Sequence, residues 1–304
     1  MSSNIGQIFH IIHVVEDFAP VSVWYKDVFG AQTFGGHLTD LFPRWDLEKR
    51  DAELLAIANT VVEPMSPATD VEGWQAMPIG RFHKRFGRHW HSLAWYCEDP
   101  RAIWESLRAA NVQTFRAGGT PSNDEPPVGG FFTHPRDTHG QLQFTANRFE
   151  GDPRLGPDWN GTWSGANHPL GVERLAHATI VTSDVDAATS FFVGRLKASV
   201  LHRSDSALHG TRSTFVAVGT DTIVELAQPR DGESFAGQDL NSNGEILHAL
   251  TWKVSDLDRA AAFLETKGVR IAGRDEATIV ADPATTFGAF HRFTTVDVPG
   301  DPRG

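Results

Sequence analysis

The sequence predicts an α+β fold in which four βαβββ units pair into two curved sheets. Three observations carry this prediction. One grammar of strand, helix and further strands recurs four times along the chain. Short apolar runs alternate at period two between turn residues, and a segment rich in Gly, Pro, Asn and Asp separates the second recurrence from the third.

The first unit is read at residues 8–29, IFHIIHVVEDFAPVSVWYKDVF, where an alternating strand leads through an Asp into an amphipathic stretch ending at Gly30. The same order returns at 91–108, 174–196 and 248–265. Asp17, Asp99, Asp184 and Asp256 stand at the strand-to-helix turns, where a short carboxylate caps the first free N–H groups of a helix. Residues 52–64 match 214–229, and 134–144 match 282–293, with Gly140 and Gly288 each five residues beyond a Pro. Units one and three resemble each other most, as do two and four. The expected domains are therefore 1–147 and 173–304, joined by a linker at 148–172. The irregular stretch 114–130 reads as a long loop of the kind that covers functional sites.

Composition narrows the function. The chain has 27 Lys plus Arg against 38 Asp plus Glu, a net charge of -11, which repels nucleic acid and anionic membranes. The single Cys97 excludes an intramolecular disulfide framework, and no apolar run approaches the roughly 20 residues of a membrane span. The N-terminus lacks the basic segment of a signal peptide and reads as a strand, so a cytoplasmic location is expected. Nine Trp and 20 Phe against two Tyr suit an apolar pocket as well as a core.

A βαβββ unit cannot close around a cavity alone, so two must combine. With its four such units the chain resembles the vicinal oxygen chelate superfamily, which includes glyoxalases, bleomycin-resistance proteins and extradiol dioxygenases. The resemblance implies two cups, each with metal ligands from the first and last strands of its units. The N-terminal set is then His10, Glu63, His91 and Gln143, and the C-terminal set His177, Glu225, His248 and His291. The spacing between copies shrinks slowly, from 167 residues (His10 to His177) through 162 (Glu63 to Glu225) to 157 (His91 to His248). Counting three residues past Gly140 and Gly288 gives Gln143 and His291, where the family usually has Glu. A lone His on a strand is more often structural; a His at the first-strand position of all four units is a pattern. His13 falls on the opposite face from His10, whereas Trp95 and Trp252, four residues after a His, are expected on its face.

Imidazole and carboxylate ligands suit a divalent Zn, Mn, Ni, Co or Fe(II). The resemblance implies an enzyme in which the metal stabilises an enolate or oxyanion on a small, aromatic or apolar, oxygen-bearing substrate, in isomerase, lyase or hydrolase chemistry. Glu225 or Glu63 would double as general base. Four units also match the layout of Fe(II) extradiol ring-cleaving dioxygenases, but those end their ligand set in Glu and place a Tyr nearby, and both Tyr here are N-terminal. A drug-sequestering protein is the non-enzymatic alternative, which has no need of ligand sets. Ligand type ranks the C-terminal cup first. Both paired units lie on one chain, so a monomer suffices and a homodimer is optional.

Overall fold

Each unit turns from strand to helix at its aspartate. Carboxylate oxygens of Asp17, Asp99, Asp184 and Asp256 accept hydrogen bonds of 2.9–3.1 Å from N–H groups two or three residues on. The computed structural model describes residues 4–33, 48–146, 148–149, 151–156 and 167–303.

The first half contains strands β1 (Ile5–Val14), β2 (Gln32–Thr33), β3 (Arg50–Ala52), β4 (Leu55–Ile57) and β5 (Thr60–Pro67), with helix α1 (Phe18–Phe29) after β1. Helix α2 (Pro78–Phe86) leads to β6 (His89–Cys97), α3 (Pro100–Arg108), β7 (Thr114–Phe115), β8 (Gly130–Thr133), α4 (Pro135–Thr138) and β9 (Gln141–Thr145). The second half repeats this with β10 (Val172–Val181), α5 (Val185–Leu196), β11 (Ser199–Ser206), β12 (Thr211–Val218) and β13 (Thr222–Pro229). Its remaining elements are α6 (Phe235–Asn243), β14 (Ile246–Val254), α7 (Leu257–Thr266), β15 (Ile271–Arg274), β16 (Thr278–Ala281) and β17 (Phe290–Thr294).

The two sheets have the same plan. Among the described residues the first runs β2-β4-β5-β1-β6-β9-β8-β7, with β3 also on β5, and the second runs β11-β12-β13-β10-β14-β17-β16-β15. In each, the first strands of two units lie antiparallel at the centre (β1 with β6, β10 with β14), and each is parallel to the last strand of its own unit. Residues of β1, β5, β6 and β9 therefore meet on one concave face, as the corresponding strands do in the second sheet. The opposite faces share one core, in which Trp90, Trp95 and Phe29 pack with Trp252 and Phe293. Burial of each of these rings stabilises the joined halves by about 2–3 kcal/mol.

The first half extends past the expected boundary at 147. Arg154, buried beside Asp152, donates to the carbonyls of Ile8 (3.0 Å), Phe9 (2.9 Å) and Asn59 (3.1 Å). The same Gly-Asp-Pro-Arg sequence recurs at 300–303, and there Arg303 donates to Leu175 (3.2 Å), Ala176 (2.6 Å) and Asp221 (2.8 Å). Residues 151–154 thus close the first half as 300–303 close the second. Residues 150 and 157–166 of the expected linker lie outside the described residues.

Candidate active site

The histidine on the first strand of each unit sits at a break in the ladder. On β1 three steps from Ile8 to Ile11 face two on β6, from Trp95 to Leu93; one step on β1 from Ile12 to His13 is matched by two on β6 from Ser92 to Trp90, passing over His91. The second sheet has the same bulges, passing over Ala176 beside His177 and over His248. A bulge re-aims side chains and frees backbone groups. The freed carbonyls of Ile8, Phe9, Leu175 and Ala176 are those that Arg154 and Arg303 satisfy. The extra residue also inverts the parity of every later position on the strand, so Trp95 and Trp252 belong to the shared core and not to the face of His91 and His248.

In the first cup His10, Glu63, His91 and Gln143 all line a cavity of about 610 Å³. His10 stacks on Phe9 with ring centroids 4.2 Å apart, and its Nε2 lies 3.0 Å from Oε1 of Gln143. Its Nδ1 lies 3.1 Å from Oε2 of Glu63 without the angles of a hydrogen bond, and both atoms are buried with no hydrogen-bond partner. The other carboxylate oxygen of Glu63 is 3.4 Å from Arg50, which also pairs with Glu48. His91 Nδ1 is 2.9 Å from Ser92 Oγ, and Phe82 meets the imidazole edge-on. Burial holds both imidazoles neutral: it lowers His10 against the pull of Glu63 and pushes His91 down to about 3, with His10 and Arg50 adding to the effect. Neutral imidazole is the form that binds a metal.

The second cup differs at one position. Three residues past Gly288 stands His291, but its side chain enters the shared core, where it meets Tyr25 and Trp252. In register, Ala94 opposes Gln143 and Thr251 opposes Arg292, so the counterpart of Gln143 is Arg292. The expected ligand His291 is thereby corrected. Arg292, fully buried, lies 3.1 Å from Glu225, which also accepts from Thr179 (2.6 Å) and Ser213 (2.7 Å) and lies 3.5 Å from His177. Burial raises the Glu225 pKa, but the His177 hydrogen bond and the Arg292 charge outweigh it and hold the carboxyl well below its usual range. His248 is bound at 2.5 Å to Asp239 of α6, which also holds His89 at 3.1 Å.

The resemblance implies a divalent cation, and the two cups answer that differently. The first offers two neutral imidazoles, a carboxylate and an amide oxygen, with two facing atoms left without hydrogen bonds. As they stand, no three His, Cys, Asp or Glu side chains among the described residues converge on one point. His10 and Gln143 would have to exchange their mutual hydrogen bond for the ion. The second cup does not fit, because a guanidinium is already placed against its carboxylate.

Several site residues were not read from the sequence. Arg50, Phe82 and Phe115–Gly119 line the first cavity, the last of these from the expected covering loop. Asp239 and the arginine closures were also missed; the repeated Gly-Asp-Pro-Arg was the signal for the closures, and Gln143-Phe144-Thr145 against Arg292-Phe293-Thr294 was the signal for Arg292.

A cup of this kind, built twice, defines a class that comparison identifies. The glyoxalase/bleomycin resistance protein/dioxygenase superfamily model matches residues 176–285. The ethylmalonyl-CoA/methylmalonyl-CoA epimerase of Cereibacter sphaeroides is 31% identical over 112 residues, which cover 36% of this chain and 82% of the epimerase. The chain belongs to this superfamily. Among solved structures, a mutant 4-hydroxymandelate synthase from Streptomyces coelicolor shares the fold across 96% of this chain and 92% of its own, with a TM-score of 0.62 at 13% identity. Methylmalonyl-CoA epimerase from Mycobacterium tuberculosis is 26% identical, covering 40% of this chain and 87% of its own, with a TM-score of 0.38.

Proposed function

We propose that the chain is an enzyme whose active site is the first cup, moving a proton at carbon on a small, apolar, oxygen-bearing substrate. The convergence of His10, Glu63, His91 and Gln143 on one aromatic-walled cavity carries this reading. A divalent cation held by His10, His91, Gln143 and, until it takes the proton, Glu63 would supply stabilisation of negative charge on a substrate oxygen. Glu63 is the base: Arg50 holds one of its oxygens, and the other, free of hydrogen bonds, faces the site. Phe9 fixes the His10 ring by stacking, and Phe82 fixes His91. Apolar walls exclude water from the reacting carbon. Kinship with an epimerase, whose name denotes inversion at a carbon, supports proton transfer over ring cleavage.

The test is metal content by elemental analysis after reconstitution with Zn, Mn, Ni, Co or Fe(II). About one ion per chain is expected, lost in His91→Ala and retained in His248→Ala. Protein that stays metal-free, or an ion that survives His91→Ala and leaves with His248→Ala, contradicts the assignment.

A further inference from the structure

The lining of the first cavity runs against the charge of the chain. The protein carries a net charge of -11, yet Arg50, Arg81, Arg85 and Arg116 line this cavity against Glu48 and Glu63. Both glutamates pair with Arg50. The other three guanidiniums stand at the mouth, and all three residues are exposed.

Two elements bring them together. Arg81 and Arg85 are one turn apart on α2, and Arg81 reaches toward Gly119 in the loop that carries Arg116. Positive φ at Gly118 (77°) and Gly119 (79°) turns that loop inward, and Gly118 N–H is fixed by Glu48 at 3.0 Å. Arg81 bonds the carbonyl of Ala76, and Arg116 pairs with the exposed Glu125 at 3.3 Å. Arg85 lies over the Phe86 ring at 4.9 Å and makes no ion pair with an acid among the described residues.

We infer that the substrate of the first cup carries an anionic group, carboxylate or phosphate, which Arg81, Arg85 and Arg116 grip at the mouth while its oxygen-bearing end reaches His10 and His91. This rests on the first cup being the active site. Phe82, Phe86, Phe115 and Phe132 line the same cavity, so the body of the substrate is apolar. Planar guanidiniums hold either anion through paired hydrogen bonds.

The test is calorimetric binding to metal-stripped protein, so that failure of the metal assignment leaves it untouched. The probes are 4-phenylbutyrate, 3-phenylpropyl phosphate and neutral 4-phenyl-1-butanol. At least one acid is expected to bind about tenfold more tightly than the alcohol, the scale of one charge-assisted hydrogen bond. In the Arg81→Gln, Arg85→Gln double variant that preference should vanish while alcohol binding and thermal stability hold; which acid wins in the wild type separates carboxylate from phosphate. An alcohol that binds as tightly as both acids, a preference that survives the double variant, or no measurable binding of any probe overturns the inference.

Discussion

Tyr25 donates its hydroxyl proton to Nδ1 of His13 across 3.0 Å, and that bond is one link of a one-way chain through the joint between the halves. His13 Nε2 faces the Phe287 carbonyl at 3.0 Å, which can only accept, so the proton sits on Nε2 and Nδ1 accepts. Trp252 Nε1, which can only donate, lies 3.0 Å from His291 Nδ1, so His291 Nε2 carries its proton toward the Tyr25 oxygen at 3.3 Å. Both nitrogens of His13 and of His291, the Tyr25 hydroxyl and the Trp252 N–H are thereby paired, and burial keeps both imidazoles and the phenol neutral.

Tyr25→Phe removes one donor and one acceptor from the chain and leaves His13 and His291 each with a buried unsatisfied nitrogen. The expected loss is about 2–4 kcal/mol, at roughly 1–2 kcal/mol per orphaned group. Urea unfolding measures it, and a loss below about 1 kcal/mol would show that the chain contributes no more than ordinary packing.

Acid should loosen the same joint. Burial, with smaller effects from His89 and Arg88 against Glu16, pushes His13 down to about 3, and burial holds His291 well below its ordinary value. Each depressed pKa makes the unfolded chain the better proton acceptor once pH falls below about 6.5. The sign is therefore stability present above pH 6.5 and lost as pH falls toward 3. His13 alone gives about 1.4 kcal/mol per pH unit between pH 6 and 4, and His291, His91 and His10, also lowered by burial, add slope of the same sign. His89, raised by Asp239 in spite of its burial, is charged in both states there and adds no slope. Unfolding free energies at pH 7, 6, 5 and 4 check this; a flat profile contradicts neutral histidines in the joint.

Arg154 acts on the site from behind, by binding the carbonyls that the β1 bulge frees around His10. Arg154→Lys keeps the charge but cannot serve three carbonyls in a fixed fork, and His10 should lose its aim. Metal affinity is expected to fall about 10–100-fold, the usual scale for a group that orients a ligand. Arg303→Lys, its counterpart in the second half, should leave metal affinity unchanged. Equal losses in both would mean general destabilisation.

Arg292→Gln rebuilds the second cup on the pattern of the first. Without added metal the variant leaves Glu225 buried without its arginine and should lose about 3–5 kcal/mol. Zn or Mn should recover part of this and raise metal content by one ion per chain relative to the wild type. Unchanged content would refute the equivalence of Arg292 with a bound cation.

Much of this was legible because the fold is written twice. The first-strand histidines and the pair Glu63 and Glu225 recur at nearly constant spacing, and each capping aspartate has a local reason to be where it is. Period-two counting failed at bulges, since one added residue reverses every later side chain; Trp95 and Trp252 were misplaced for that reason. A glycine-based count failed at Ala289, an extra residue in the turn before β17, and so chose His291 over Arg292. Asp239 and Tyr25 act across elements far apart in sequence, and no local pattern announces such contacts.

The guanidinium of Arg292 is covalently part of the strand that carries it, so its effective concentration beside Glu225 is fixed by geometry and no dialysis lowers it. A free ion in the first cup would instead come and go by mass action, with occupancy set by supply. Chelators would then empty the first cup and leave the Arg292–Glu225 pair in place, so that one cup would answer to metal supply and the other would ignore it.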